Sequence, residues 1–398
     1  MTATHINPPL SPWERGPGGA AGLHATIRLR RGRFTLDAAL AAPAGVTALL
    51  GPSGAGKSLT LQAIAGLTPI EAGRVMLNGR ALADTQTDIA LPPRMRRVGY
   101  VPQSYALFPH LSVANNIAYG LPRELDRAAR AKRVADLLAL GRLEGYENRR
   151  PRDLSGGEAQ RVAVLRALAA EPEALLLDEP FSALDAPTRA AVRDDLAALI
   201  AASGLPALLV THDLAEARTL ASRLALLVDG RVVVEGPTAE ALAAPPTLRA
   251  ARLLGWSAAL PVAGYEMADG AALVTLACGQ RLALDASAVA PDLRHTPSAA
   301  SVALALRPER LTIARGAADE DEEREPAPRA ALRGMIGLVR DDGGAISLLV
   351  TLDGAGAEPL PLALNPREWA ALALSPGERV TLRPLPGALR LVAREDAP

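Results

Sequence analysis

The chain is poor in several residue types, and each shortage excludes something. It holds one cysteine, Cys278, in 398 residues. No internal disulfide can form, so a reducing compartment is the expected setting and the thiol is read as a small buried hydrophobe. Lysine is almost absent: of 43 basic residues only Lys57 and Lys132 are not arginine. A lysine that persists against that bias marks a place where a compact ammonium is required and a planar guanidinium does not fit, and Lys57 is that case. Net charge is lacking too, with 43 basic and 43 acidic residues, so no global basic field points to nucleic acid or an anionic membrane. No apolar run approaches the roughly 20 residues needed to span a bilayer. Leu196–Val210 comes nearest, but Ser203, Gly204 and Pro206 interrupt it. Met1–His24 is rich in Pro and Gly and lacks the apolar core of a secretory signal, so residues 1–23 are expected to form a loose tail.

What is present suffices for two cores, since 49% of the residues are hydrophobic. Ala25–Leu29 and Arg33–Leu36 alternate like strands. Val46–Leu50 is a short β-rich run that ends in a glycine-rich loop, and Ser58–Ala65 follows as a helix. Leu121–Leu143, Glu158–Ala169, Thr188–Ala202 and Leu214–Ala221 carry helical patterns, and Ala174–Leu177 and Ala207–Val210 are fully apolar, buried strands. Strands alternating with helices predict a mostly parallel α/β sheet over residues 24–250. From Trp256 onward, short β-like runs lie between Gly, Pro and Asp turns: Ala272–Leu276, Val302–Ala305, Ile346–Leu352, Arg379–Arg383 and Ala388–Val392. That pattern predicts small all-β barrels, in a segment over 256–315 and another over 330–395 that could be two related barrels. The acidic run around Asp319–Glu325 makes 316–329 a solvated linker.

Three runs of residues carry chemistry. Gly51-Pro52-Ser53-Gly54-Ala55-Gly56-Lys57-Ser58 fits G-x-x-x-x-G-K-[ST] in full, after a strand and before a helix. Its glycines let successive backbone N–H groups curl around phosphates, helped by the helix N-terminus. Lys57 neutralises the β/γ oxygens of ATP, and the Ser58 hydroxyl ligates Mg²⁺. Leu175-Leu176-Leu177-Asp178-Glu179-Pro180 places two carboxylates where a buried strand ends, the edge at which such sheets bind ligands. Asp178 is expected to hold Mg²⁺ through water, and Glu179 to polarise the attacking water as general base. Leu154-Ser155-Gly156-Gly157-Glu158-Ala159-Gln160-Arg161 opens a helix at Ser155 and makes a second anion-binding terminus on the same domain. One γ-phosphate does not need two such ends from one chain. A head-to-tail homodimer would use both, with Ser155, Gly156 and Gly157 of each copy facing ATP on the other's Lys57 loop.

These motifs together resemble the ABC transporter ATPases, a family of phosphate-loop NTPases. Its members carry a phosphate loop, a Q-loop, an LSGG signature, a strand ending in Asp-Glu, a D-loop and a switch histidine. In that order they match Gly51–Ser58, Gln103, Leu154–Gln160, Asp178–Glu179, Ser182-Ala183-Leu184-Asp185 and His212 in Val210-Thr211-His212-Asp213. The resemblance implies that Gln103 senses Mg²⁺ and the pore subunit, that Asp185 acts across the dimer and that His212 contacts the γ-phosphate. It also implies an aromatic residue upstream of the phosphate loop that stacks on adenine. The local candidate, Phe34, lies on an apolar alternation that favours the core, so the stacking residue stays unassigned. His5, His24, His110 and His295 are read as structural.

A nucleic-acid-handling ABC ATPase is the competing reading, because small β-barrels also bind single strands through basic grooves and stacking aromatics. From Trp256 to the end there are 14 Arg against 19 Asp and Glu, a net of −5, and the only aromatics are Trp256, Tyr265 and Trp369. That fits nucleic acid poorly. Tyr100–Val113 resembles the Q-loop stretch of importers, with exposed Leu107 and Phe108 as part of a cleft for the pore subunit. Ala303–Glu309 resembles the Arg-Pro-Glu strand of the regulatory domain in those importers, and Leu332–Val392 the small TOBE-like barrel of molybdate importers. The resemblance therefore implies an importer ATPase on the cytoplasmic face of the membrane, with a permease, indirectly a solute-binding protein, and molybdate or tungstate as cargo. Sulfate, sugar, polyamine and iron rank behind it.

Overall fold

The structure is a computed structural model that describes residues 21–182, 186–268, 270–294, 302–316, 331–354 and 359–394. The chain divides into two compact units, 1–238 and 239–398.

The first unit begins with a hairpin of β1 (Leu23–Arg31) and β2 (Phe34–Ala42). Next come β3 (Gly45–Leu50), α1 (Lys57–Ala65), β4 (Ala72–Leu77), β5 (Arg80–Asp84), β6 (Ile89–Ala90) and β7 (Val98–Val101). The helices α2 (Val113–Tyr119), α3 (Arg127–Leu140) and α4 (Gly156–Ala169) follow, then β8 (Ala174–Asp178), α5 (Ala186–Ser203), β9 (Pro206–Thr211), α6 (Leu214–Leu220), β10 (Arg223–Val228) and β11 (Arg231–Pro237). The helical stretch expected from Leu121 starts only at Arg127. Pro122 lies in the intervening turn, and the Asp126 side chain caps the helix by accepting from Ala129 N at 2.8 Å.

These strands form two sheets. One is antiparallel in the order β2-β1-β4-β5-β6. The other runs β11-β10-β3-β9-β8-β7, parallel from β10 to β7 with β11 antiparallel at its edge. Every residue of β8 and β9 is buried, as a parallel sheet covered on both faces requires. Alternate positions such as Leu176, Leu208, Val210, Ala225 and Leu227 share one core with β1, β2 and α1. Buried Arg96 fastens α1 at its C-terminal end, donating to Ala63 O at 2.9 Å, Ile64 O at 2.7 Å and Leu91 O at 2.8 Å. A cation on the last carbonyls of a helix is favourable to the helix dipole, and it fixes the element that carries Lys57 and Ser58.

The second unit contains α7 (Thr238–Ala243), α8 (Leu248–Leu253), β12 (Ala258–Ala268), β13 (Ala271–Leu276), β14 (Arg281–Asp285), β15 (Val302–Leu306) and β16 (Leu311–Arg315). It continues with β17 (Leu332–Asp341), β18 (Ile346–Leu352), β19 (Pro359–Leu364), α9 (Pro366–Leu372), β20 (Arg379–Pro384) and β21 (Leu389–Ala393). Its sheets run β14-β13-β12-β15-β21 and β16-β20-β17-β18-β19. The expectation of two successive barrels gives way here to an interlaced arrangement. β21, from the distal run, pairs with β15, while β16, from the proximal run, pairs with β20. Residues from both sheets fill a single core. The unit also begins earlier than residue 250, because the segment after residue 238 is tied to it. Buried Trp256 donates to Leu242 O at 3.1 Å, and Arg307 covers the Trp256 ring at 4.4 Å while donating to the same carbonyl at 2.6 Å.

Candidate active site

Four neighbouring parallel strands, in the order β3-β9-β8-β7, end at the same sheet edge. Each delivers part of the site. The loop 51–56 follows β3, His212 follows β9, Asp178 and Glu179 close β8, and Gln103 lies just past β7. The C-terminal edge of a parallel sheet is where α/β proteins bind ligands.

The loop is held open by backbone that only glycine adopts easily. Gly54 and Gly56 have φ of 79° and 104°. A Cβ on Gly56 would lie 2.9 Å from the Phe34 ring, and one on Gly51 would lie 2.3 Å from Leu227 O. Phe34, half-buried at the margin of the core, thus packs against the phosphate loop. Of the two lysines, Lys132 is exposed on α3 and Lys57 is buried. Lys57 Nζ donates to Gly51 O at 2.8 Å and Pro52 O at 3.0 Å, and lies 3.9 Å from Glu179 Oε1. Burial lowers its pKa, against the pull of Glu179 and Asp178.

Ser58 Oγ donates to Asp178 Oδ1 at 2.9 Å, and Tyr100 OH to Asp178 Oδ2 at 3.2 Å. Burial pushes the Asp178 carboxyl up, opposed by those two bonds. Tyr100 is pushed up to about 12 by burial and by the Asp178 charge. A buried carboxylate that burial disfavours, next to a hydroxyl, offers hard oxygen donors suited to Mg²⁺. Among the described residues no group of three or more His, Cys, Asp or Glu could hold a metal ion by itself.

Glu179 has a φ of 44°, a left-handed conformation uncommon outside glycine and often found at functional sites. The turn is pinned by Glu179 N donating to Val210 O at 3.1 Å and Tyr105 OH donating to Pro180 O at 2.8 Å. Glu179 Oε2 lies 3.3 Å from His212 Nδ1 and 3.5 Å from Gln103 Nε2, which also reaches Ser182 Oγ at 3.2 Å. Gln103 therefore meets the Glu179 carboxylate rather than the Ser58–Asp178 pair.

The signature residues are not brought to this edge. Ser155 caps α4, accepting from Glu158 N at 3.4 Å while Glu158 Oε2 accepts from Ser155 N at 2.7 Å. Ser155 and Gly156 are exposed and Gly157 is buried against Val192. Among the described residues no hydrogen bond joins Ser155, Gly156 or Gly157 to the loop 51–58. Asp185 lies outside the described residues, as do His5 and His295. Leu107 and Phe108, expected to be exposed, are half-buried. The Phe108 ring lies 4.5 Å from that of Tyr119, which is 67% exposed.

Sequence reasoning passed over Tyr100, Tyr105, Thr211 and Glu216. Tyr100 and Tyr105 flank Gln103 closely enough to have been suspected. Glu216 falls three residues after the helix cap Asp213, a spacing that reads as ordinary capping.

Comparison with known proteins places this arrangement. Residues 39–182 match the ABC transporter family and residues 304–392 the TOBE domain family. An Fe(3+) ions import ATP-binding protein of Pseudomonas fluorescens is 39% identical over 88% of this chain and 91% of its own length. The chain belongs to the ATP-binding subunits of ABC-type importers. As an import subunit of this family it binds and hydrolyses ATP. A molybdenum import ATP-binding protein of Paramagnetospirillum magneticum is 36% identical over 90% of this chain and 95% of its own. A sulfate/thiosulfate import ATP-binding protein of Chromobacterium violaceum is 41% identical over 73% of this import ATPase and 70% of its own length. Among solved structures, cbiO1 from Clostridium perfringens, described as part of the transporter complex cbiONQ, has a TM-score of 0.51. It is 25% identical, over 56% of this chain and 91% of that one. Among the described residues no helix is long and apolar enough to cross a membrane.

Proposed function

We propose that two copies of the chain close head-to-tail around two ATP and drive a separate membrane permease, with molybdate or tungstate as cargo. The observation that carries the ATPase part is the convergence of Lys57, Ser58, Asp178, Glu179, Gln103 and His212 at one sheet edge. Lys57 Nζ, now satisfied by two carbonyls of its own loop, turns to the β/γ oxygens when ATP enters. Ser58 and Asp178, joined by a 2.9 Å hydrogen bond, are the residues that would hold Mg²⁺. A Mg²⁺ held there would supply positive charge to offset the charge developing on the phosphates. Glu179 orients and deprotonates the attacking water, and His212 contacts the γ-phosphate from the neighbouring strand. Gln103, bonded to Glu179 and Ser182, reports the state of that carboxylate to the loop carrying Leu107 and Phe108.

The dimer is supported by what one chain leaves unused. The Ser155 terminus is exposed and, among the described residues, its hydrogen bonds are those of its own capping box, which leaves it open to nucleotide on a second copy. The half-buried Leu107 and Phe108 with exposed Tyr119 form an apolar, aromatic surface suited to a permease helix. A permease partner places the subunit at the cytoplasmic face of the membrane, downstream of a solute-binding protein.

For the cargo, the support is the molybdenum import relative, which matches nearly end to end. A ferric-iron cargo is the second reading, favoured by the higher identity of the iron import relative over a similar span. Deleting the gene and measuring cellular molybdenum, tungsten, iron and sulfur under limiting supply separates them. Molybdenum and tungsten uptake should fall to passive leak while iron is unchanged. Loss of iron uptake alone would reassign the cargo.

A further inference from the structure

His212 stands between two residues that are each tied down, and the ties lead to a buried carboxyl that the reaction itself does not use. Thr211, the last residue of β9, donates its hydroxyl proton to Glu216 Oε2 at 2.5 Å. The same hydroxyl oxygen accepts from Asp213 N at 2.9 Å. Asp213 Oδ1 accepts from Ala215 N at 2.7 Å and Glu216 N at 3.3 Å, capping α6, and its other oxygen lies 3.7 Å from Arg189 Nη1 on α5. Capping is thus already supplied by Asp213, and Glu216 is not needed for it.

Glu216 is only 5% exposed. Burying a carboxyl costs free energy unless it is hydrogen-bonded, and this one reaches back to the strand end rather than outward. Burial pushes its carboxyl up, against the bond from Thr211. The His212 side chain, by contrast, is 60% exposed and has its Nδ1 3.3 Å from Glu179. One small cavity is lined by Glu179, Ser182, Arg189, Thr211, His212 and Glu216. It brings the reacting carboxylate, the histidine and the anchoring carboxyl to a shared wall.

We propose that Glu216 is a positioning residue for His212: through Thr211 its carboxyl fixes the turn that presents the imidazole to Glu179, and the Arg189–Asp213 pair braces the other side. This rests on the reading of His212 as a participant in hydrolysis. Because Arg189 lies on the first turns of α5, the brace also ties the histidine to the helix that follows the Ser182–Asp185 stretch.

The test is steady-state ATPase kinetics on the full chain. Glu216→Ala and Thr211→Val should each lower kcat by about tenfold or more while KM for ATP stays within about twofold, as loss of orientation alone predicts. Glu216→Gln, whose amide oxygen still accepts from Thr211, should recover most of the rate. In a His212→Ala background, Glu216→Ala should cost nothing further, because the group it positions is gone. Native kcat in Glu216→Ala, or an undiminished further loss in the His212→Ala background, would overturn the inference. If His212→Ala alone turns over normally, the reading of the histidine fails and the positioning role goes with it. That result is distinct from one in which His212→Ala is inactive and Glu216→Ala is native. Should Glu216→Ala not fold, Thr211→Val decides, since it removes a hydroxyl and keeps the volume.

Discussion

Glu179→Gln is expected to keep ATP bound and to hydrolyse it about 10²–10⁴ times more slowly than the native chain, the contribution of a positioned general base. The geometry explains why an isosteric change should suffice. Glu179 is held in a left-handed turn by Val210 O and by the Tyr105–Pro180 bond, so the amide would occupy the same place. Its oxygen would still meet Gln103 or His212, and Ser58 would be untouched, while Lys57 would lose the carboxylate charge 3.9 Å from its Nζ but keep its bonds to Gly51 O and Pro52 O. The capacity to take a proton from water would be lost, together with the negative charge that faces Lys57 and His212. Phosphate release under single-turnover conditions, with retained nucleotide measured in parallel, separates this from a binding defect. A variant with normal turnover removes Glu179 from the role of base.

Lys57→Arg is expected to lose about 10²–10³ in kcat although it keeps the charge, the scale associated with removing one preorganised donor from a transition-state charge. Lys57 Nζ occupies a buried site between two carbonyls of its own loop, 3.9 Å from Glu179. A forked, planar guanidinium is wider than that space and cannot turn there as a three-donor ammonium can. A chain that uses arginine nearly everywhere else keeps lysine at this point. Nucleotide binding by fluorescence and phosphate release measure the loss, with circular dichroism to show that the fold persists. Native turnover in Lys57→Arg would mean that the charge alone matters.

The parts of the site that could be seen in the sequence are those in which chemistry and backbone lie within a few consecutive residues. The loop Gly51–Ser58 needs its glycines at fixed offsets from a lysine, and a fully apolar strand before Asp178 and Glu179 announces a sheet edge. What depends on distant pairing left no such trace. β15 and β21 are bonded from Val302 with Ala393 to Leu306 with Leu389, and nothing local in either run names the other. Two successive barrels were therefore the natural reading of a unit whose sheets interlace. Phe34 illustrates a subtler case. Its apolar alternation points to the core, and the ring does join the core margin, but it does so against Gly56 of the phosphate loop. Glu216 was hidden because its spacing from Asp213 copies a helix cap, whereas its carboxyl serves the preceding strand end.

The account depends on two copies sharing their nucleotides, each lending its Ser155 terminus to the other's phosphate loop. Light scattering of Glu179→Gln with ATP and Mg²⁺ tests this most directly. The mass should double when nucleotide is added, and the doubling should vanish when Ser155→Arg blocks the exposed helix end. A single-chain mass with ATP and Mg²⁺, persisting in the presence of the permease, would contradict it.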